Sequence, residues 1–166
     1  MKKWSALIVC AALAAPEAGA CGMTSTAVPF DIVDTGQGAV VGDSAELPAP
    51  PTVVTEIVRG IGSNHESCND TGLLTMVIEW PRGKYKLRDV GFEFTPVGDS
   101  IAYAIFPSRP VQGREDRRRS EFLFLWREGG PTQQKVIDLQ VDVRAVTRDN
   151  LRGPPTRVVV RSTPLR

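Results

Sequence analysis

The stretch Lys135–Arg148, KVIDLQVDVRAVTR, alternates apolar and polar side chains along its length. Successive side chains of a β-strand point to opposite faces of a sheet, so this period of two puts one set in a core and the other in water. The apolar set is Ile137, Leu139, Val141, Val143 and Ala145, and the polar set is Asp138, Gln140, Asp142 and Arg144. The stretch predicts a long half-buried antiparallel strand whose register is well specified, because a shift by one residue would reverse its faces.

Shorter runs on both sides of this strand have β-rich compositions and are separated by turn-forming clusters. Leu74–Trp80 and Val90–Phe94 alternate in the same way, whereas Phe122–Trp126 is apolar on both faces, which favours a central or partner-covered strand. The seven predicted strands are Val53–Arg59, Leu73–Trp80, Tyr85–Thr95, Ile101–Phe106, Glu121–Arg127, Lys135–Arg148 and Thr156–Arg161. Seven short alternating strands without an amphipathic helix predict an all-β, immunoglobulin-like antiparallel sandwich.

Three stretches carry a resemblance to a known family. Leu74–Pro81 ends in a Trp followed by a Pro, Gly91–Gly98 alternates aromatic and apolar residues before a turn, and Leu139–Pro155 joins an alternating strand to a Gly-Pro-Pro loop. Residues 50–163 thereby resemble a fibronectin type III domain, although Leu139 stands where that family has its buried Tyr and residues 107–119 are longer than its usual connection. The resemblance implies a seven-stranded scaffold that serves adhesion, spacing or recognition through its loops and edges.

The chain divides into three regions. Residues 1–20 have a basic start, an apolar run at Trp4–Ala15 and the small residues Ala18–Ala20, which is the pattern of a removable signal peptide. Residues 21–51 are rich in Gly and Pro and predict a linker or irregular segment in which only Val28–Val33 has strand character. Residues 52–166 are the predicted sandwich domain. The sequence therefore predicts an exported protein of the periplasm or cell envelope.

The charges of the predicted mature chain balance. The whole chain has 20 basic and 19 acidic residues. Removing residues 1–20 takes away Lys2, Lys3 and Glu17, which leaves 20 − 2 = 18 basic and 19 − 1 = 18 acidic side chains. A chain without net charge has no long-range field to attract nucleic acid or an anionic membrane, so neither is expected as a partner on this ground.

Two cysteines remain after that cleavage, Cys21 and Cys68. An even number of cysteines in an oxidising compartment predicts one disulfide between them. The small residues before Cys21 and the glycine after it also permit acylation of Cys21, which would make the protein a lipoprotein held to a membrane by that residue alone. Both alternatives stay open at the level of sequence.

The strongest candidate contact surface is a run of arginines: Arg114, Arg117, Arg118 and Arg119. Guanidinium groups bind carboxylates and phosphates in a bidentate manner, so these four predict a binding surface for a protein or glycan partner of the cell envelope. A hydrated hairpin tip whose charges oppose aggregation is the alternative.

Catalytic and metal chemistry find little support in the sequence. His65 is the single histidine and its neighbours Glu66 and Asp70 could orient it as a base, but no nucleophile motif accompanies it. A structural zinc site needs four ligands, and the spacing of Asp138, Asp142 and Asp149 matches no calcium loop, although an oxygen-ligand calcium site stays an alternative. No metal or other cofactor is therefore expected. We therefore expect a non-catalytic binding module, with a lipid-anchored structural spacer as the alternative and a hydrolase acting through His65 as the weakest hypothesis.

Overall fold

The computed structural model describes residues 23–33, 40–41, 46–61, 70–98 and 104–165. These residues form β-strands and two short 3₁₀ turns, at Leu87–Asp89 and Pro131–Gln133, with no α-helix among them. The strands are β1 (Val28–Pro29), β2 (Val40–Val41), β3 (Thr52–Val58), β4 (Thr71–Glu79), β5 (Val90–Val97), β6 (Val111–Gln112), β7 (Arg114–Asp116), β8 (Arg119–Arg127), β9 (Ile137–Thr147), β10 (Leu151–Arg152) and β11 (Thr156–Ser162). The prediction of an all-β protein is confirmed.

The described strands form two sheets. The four-stranded sheet has the order β3-β4-β8-β7, and the seven-stranded sheet has the order β1-β6-β5-β9-β10-β2, with β11 also pairing with β9. These pairings are antiparallel except for the two-residue contact between β2 and β10. The two sheets share one hydrophobic core, as expected of a β-sandwich.

The core follows from the alternation in the sequence. The six apolar side chains of β9, Val146 included, are buried, and so are Leu74, Met76 and Ile78 on the facing strand β4. Phenylalanines fill the space between the sheets: the ring of Phe92 lies 5.7 Å from that of Phe122, and the ring of Phe94 lies 5.0 Å from the same residue. Both contacts are edge-to-face, the arrangement that aromatic quadrupoles favour.

The structure corrects the number and the ends of the predicted strands. The seven-strand count is too low for the described residues, because the short strands β1, β2, β6, β7 and β10 add to the long ones. The strand predicted over Tyr85–Thr95 begins only at Val90, since Leu87–Asp89 forms a turn with Leu87 buried. Residues 104–106 of the predicted fourth strand form no strand, and Ile105 packs into the core from a loop; residues 101–103 lie outside the described residues.

The N-terminal segment packs against the sandwich where it is described. Phe30 and Leu47 are buried. Both residues lie against a glycine that has no room for a side chain. A Cβ on Gly91 would lie 2.5 Å from the Phe30 ring, and a Cβ on Gly153 would lie 2.5 Å from the Leu47 carbonyl oxygen. Val28–Pro29 pairs with β6 at the edge of the seven-stranded sheet, as the strand character of Val28–Val33 suggested.

Several predicted features lie outside the described residues: the signal peptide of residues 1–20, Cys21, His65 and Cys68. Among the helices of the part that is described, none has the length and apolar character needed to cross a bilayer.

Candidate functional site

The arginine run forms a tight hairpin at one end of the sandwich. β7 and β8 pair in antiparallel register up to Asp116 and Arg119, so the connection consists of Arg117 and Arg118 alone. Arg117 closes the turn with a φ of 56°, in the left-handed region that non-glycine residues seldom occupy. The run is therefore a defined turn on a paired strand, not a free loop.

This hairpin divides the four arginines between two surfaces. Arg114 and Arg119 line a shallow groove together with Glu115, Asp116 and Glu121. Arg119 also forms an ion pair with Glu121 at 3.7 Å. The acidic side chains of this first groove offset its two arginines, so it has no surplus of positive charge.

Arg118 has a structural task on the other surface. Its guanidinium donates two hydrogen bonds to the carbonyl oxygen of Trp80, at 2.9 and 2.7 Å. In return the Trp80 backbone N–H donates to the Arg118 carbonyl at 2.7 Å. These three bonds join the hairpin to the start of the loop that follows β4, so Arg118 is less available to a partner than Arg117.

The loop after β4 (residues 81–89, PRGKYKLRD) forms the second wall of that surface. The buried indole of Trp80 donates from Nε1 to the Tyr85 carbonyl oxygen at 2.9 Å, and Leu87 anchors the far side of the loop in the core. Lys84 pairs with Glu46 at 3.0 Å, and this hydrogen bond raises the pKa of the lysine. The loop is thus held at both ends and its charged side chains point away from the core.

Between this loop and the hairpin lies a groove of about 350 Å³, which we call the cationic groove. Its eleven lining residues include five basic side chains and one acidic one. They are Trp80, Pro81, Arg82, Gly83, Tyr85, Lys86, Leu87, Arg88, Glu115, Arg117 and Arg118. The cationic groove therefore has a strong local surplus of positive charge in a chain whose total charge is close to zero.

Three of the five cations have no acidic partner in the described part of the chain: Arg82, Lys86 and Arg117. Arg88 lies 3.9 Å from Asp89, a weak exposed contact. Unpaired guanidinium and ammonium groups beside an aromatic wall can hold a carboxylate, phosphate or sulfate. The described residues contain no cluster of three or more metal-ligating side chains.

Sequence reasoning found one wall of this groove and missed the other. Arg117 and Arg118 belonged to the predicted surface, whereas Arg82, Lys86 and Arg88 did not. The sequence does contain an indication of this second wall, since four of the nine residues 81–89 are basic. Their significance depends on the hairpin lying beside them, and Arg118 is 38 positions from Trp80 along the chain.

No protein-family model, curated protein or solved structure matches this chain. The chain is an all-β protein whose two sheets are consistent with a β-sandwich.

Proposed function

We propose that this protein is an exported, non-catalytic β-sandwich module that binds an anionic protein or glycan partner at the cell envelope through the cationic groove. The observation that carries the proposal is the surplus of five basic over one acidic side chain in that groove. Export rests on the signal-peptide pattern of residues 1–20.

The order of the strands supports the immunoglobulin or fibronectin type III-like part of the proposal. Constant-type immunoglobulin sandwiches have seven strands, A to G, in sheets of order A-B-E-D and C-F-G. With β3, β4, β5, β7, β8, β9 and β11 as strands A to G, the two sheets here have these same orders. The other strands are two-residue additions to the seven-stranded sheet.

The placement of the cationic groove supports recognition. It lies where loops leave one end of a rigid sandwich, the usual position of binding residues on such scaffolds. Its walls are fixed before any ligand arrives, by the Trp80–Tyr85 and Trp80–Arg118 hydrogen bonds, so binding would cost little ordering of the protein.

The test compares two triple variants of the mature chain with equal charge. One replaces the unpaired groove cations (R82S/K86S/R117S) and leaves Arg118 in place because it holds the hairpin. The matched control replaces three exposed arginines elsewhere (R109S/R127S/R161S). The probes are polygalacturonate, poly-glutamate and neutral dextran, with binding measured by biolayer interferometry.

We expect the wild-type chain to bind an acidic probe and not dextran. The groove variant should lose at least about tenfold in affinity, equal to 1.4 kcal/mol, while the control stays close to the wild type. Preference for polygalacturonate would indicate a glycan partner, and preference for poly-glutamate a protein. Absence of wild-type binding, or equal loss in both variants, would contradict the proposal and favour the structural spacer.

A further inference from the structure

The outer faces of the two sheets differ in character. On the seven-stranded sheet the outward side chains are charged and paired across strands: Arg157 bonds Asp142 at 2.7 Å, and Arg161 bonds Asp138 at 2.9 Å. On the four-stranded sheet, alternation against the buried Leu74, Met76 and Ile78 directs a largely apolar set outward. This set comprises Val53, Val58, Leu73, Thr75, Leu123, Leu125 and the buried Val77, and the charged Glu56 and Glu121 lie on the same face.

Strand β3 ends this apolar face at an open edge. Among the described strands β3 pairs with β4 alone. It carries no Lys, Arg or Pro, and Glu56 is its single charged residue. Val53 and Val58 are 59% and 43% exposed, although valine is a residue that strands normally bury on one face.

The sequence of β3 is close to a palindrome. Val53–Val58 is VVTEIV, which reversed is VIETVV, with its centre between Thr55 and Glu56. The register of β3 on β4 shifts between Val54 and Glu56, so Thr55 is an extra residue and Val53 and Val58 point to the same face. If two copies of β3 pair about a two-fold axis through that centre, each outward side chain lies opposite an outward side chain of the second copy, and each inward one lies opposite an inward one.

We propose that β3 is a homodimer interface in which the β3 strands of two copies pair in antiparallel register about this centre. Val53 then lies opposite Val58 of the second copy, and Val54 lies opposite Ile57. Glu56 lies opposite Thr55 of the second copy and not directly opposite the second Glu56. A second copy is the occupant because β3, when it meets itself about this centre, matches apolar with apolar and polar with polar residues.

The pairing would join two four-stranded sheets into one of eight strands. The row Val58–Leu73–Leu125 of one copy would continue into the row that begins with Val53 in the other. Both edges would also gain main-chain hydrogen bonds beyond those that β3 forms with β4 among the described strands.

The experiment is sedimentation equilibrium of the mature chain over micromolar to near-millimolar concentrations. The wild type should form a dimer. V53K/V58K places Lys opposite Lys and should raise the dimer dissociation constant at least about tenfold. V53K/V58E places Lys opposite Glu and should restore most of the affinity. The matched control is V97K/V159K, which places two lysines at exposed valines of the other sheet.

Circular dichroism checks that each variant is folded, which is expected because both altered side chains are exposed. A monomeric wild type, a dimer that V53K/V58K leaves unchanged, or a failure of V53K/V58E to recover association would each overturn the proposal. R82S/K86S/R117S should leave the dimer intact, so this inference and the proposed function can fail separately.

Discussion

At the scale of single residues, the buried ion pair of Arg59 and Glu128 is the main polar contact of the interior. Arg59 Nε lies 2.6 Å from Glu128 Oε1, and the two side chains are 3% and 0% exposed. Glu128 also accepts a hydrogen bond from the Gly60 backbone N–H at 2.7 Å. Arg59 donates to the carbonyl oxygens of Lys135 at 2.7 Å and Ser162 at 3.3 Å. These bonds offset the cost of removing both charges from water.

We expect Glu128→Gln to lower the free energy of unfolding by about 3–5 kcal/mol, because it leaves the Arg59 guanidinium charge buried without its counter-charge. Urea unfolding followed by tryptophan fluorescence measures the loss. The control is Glu121→Gln, which breaks the half-exposed pair with Arg119 and should cost less than about 1 kcal/mol. Equal effects of the two substitutions would show that burial does not strengthen the Arg59–Glu128 pair.

At the scale of elements, β9 and β11 are joined on their outer face by cross-strand ion pairs. Arg157 donates to both carboxylate oxygens of Asp142, at 2.7 and 2.9 Å. The hydrogen bond from Arg157 lowers the pKa of Asp142 below its usual value. A carboxyl whose pKa is lower in the folded chain stabilises the fold above its unfolded pKa of about 3.9, and this contribution is lost as pH falls through the lowered value.

Asp142→Asn should therefore lower Tm by a few degrees near neutral pH, and the difference from the wild type should vanish in strong acid. Thermal unfolding followed by circular dichroism over a pH series checks this. Gln140→Ala, at an exposed uncharged position of the same strand, is the control and should show a difference that does not vary with pH. A Tm difference for Asp142→Asn that persists in strong acid would exclude the ion pair as its cause.

At the scale of the whole molecule, the described neighbours of the two cysteines meet at one end of the four-stranded sheet. Met23 lines a cavity of about 200 Å³ together with Gly60, Ile61 and Thr71. Met23 follows Cys21 by two positions, and Ile61 and Thr71 stand on either side of the segment that contains Cys68. Cys21 and Cys68 themselves lie outside the described residues, so the disulfide between them stays a prediction.

Intact mass spectrometry of the mature protein from its native host should show a chain that begins at Cys21 and gains about 2 Da on reduction. Reduction should also lower the free energy of unfolding by roughly 4 kcal/mol on the chain-entropy model for a loop of this length. Cys68→Ser should abolish the gain in mass. A mass raised by acyl chains would instead establish a lipoprotein and contradict the disulfide.

The long strands could be predicted from the sequence because their signal is local. In β9 and β4 each side chain's face is set by the pleat, so alternation over a few residues identifies both the strand and its buried side. The stretch Phe122–Trp126 pairs with β4 alone among the described strands, because β7 reaches only Arg119–Glu121. On its other side Ser25 and Thr26 form hydrogen bonds with the main chain of Leu123. The three-residue strand β7 was missed because its residues are all charged and exposed.

The sequence by itself determined the all-β class, most of the long strands and the apolar core faces, because these depend on residues one or two positions apart. Only the tertiary structure decided which distant segments meet. Arg59 pairs with Glu128, which lies 69 positions away along the chain. Arg118 of the hairpin bonds to Trp80, which lies 38 positions away. Such contacts follow from the order in which strands pair across two sheets, which alternation within one strand does not specify. The cationic groove and the buried ion pair are therefore properties of the fold.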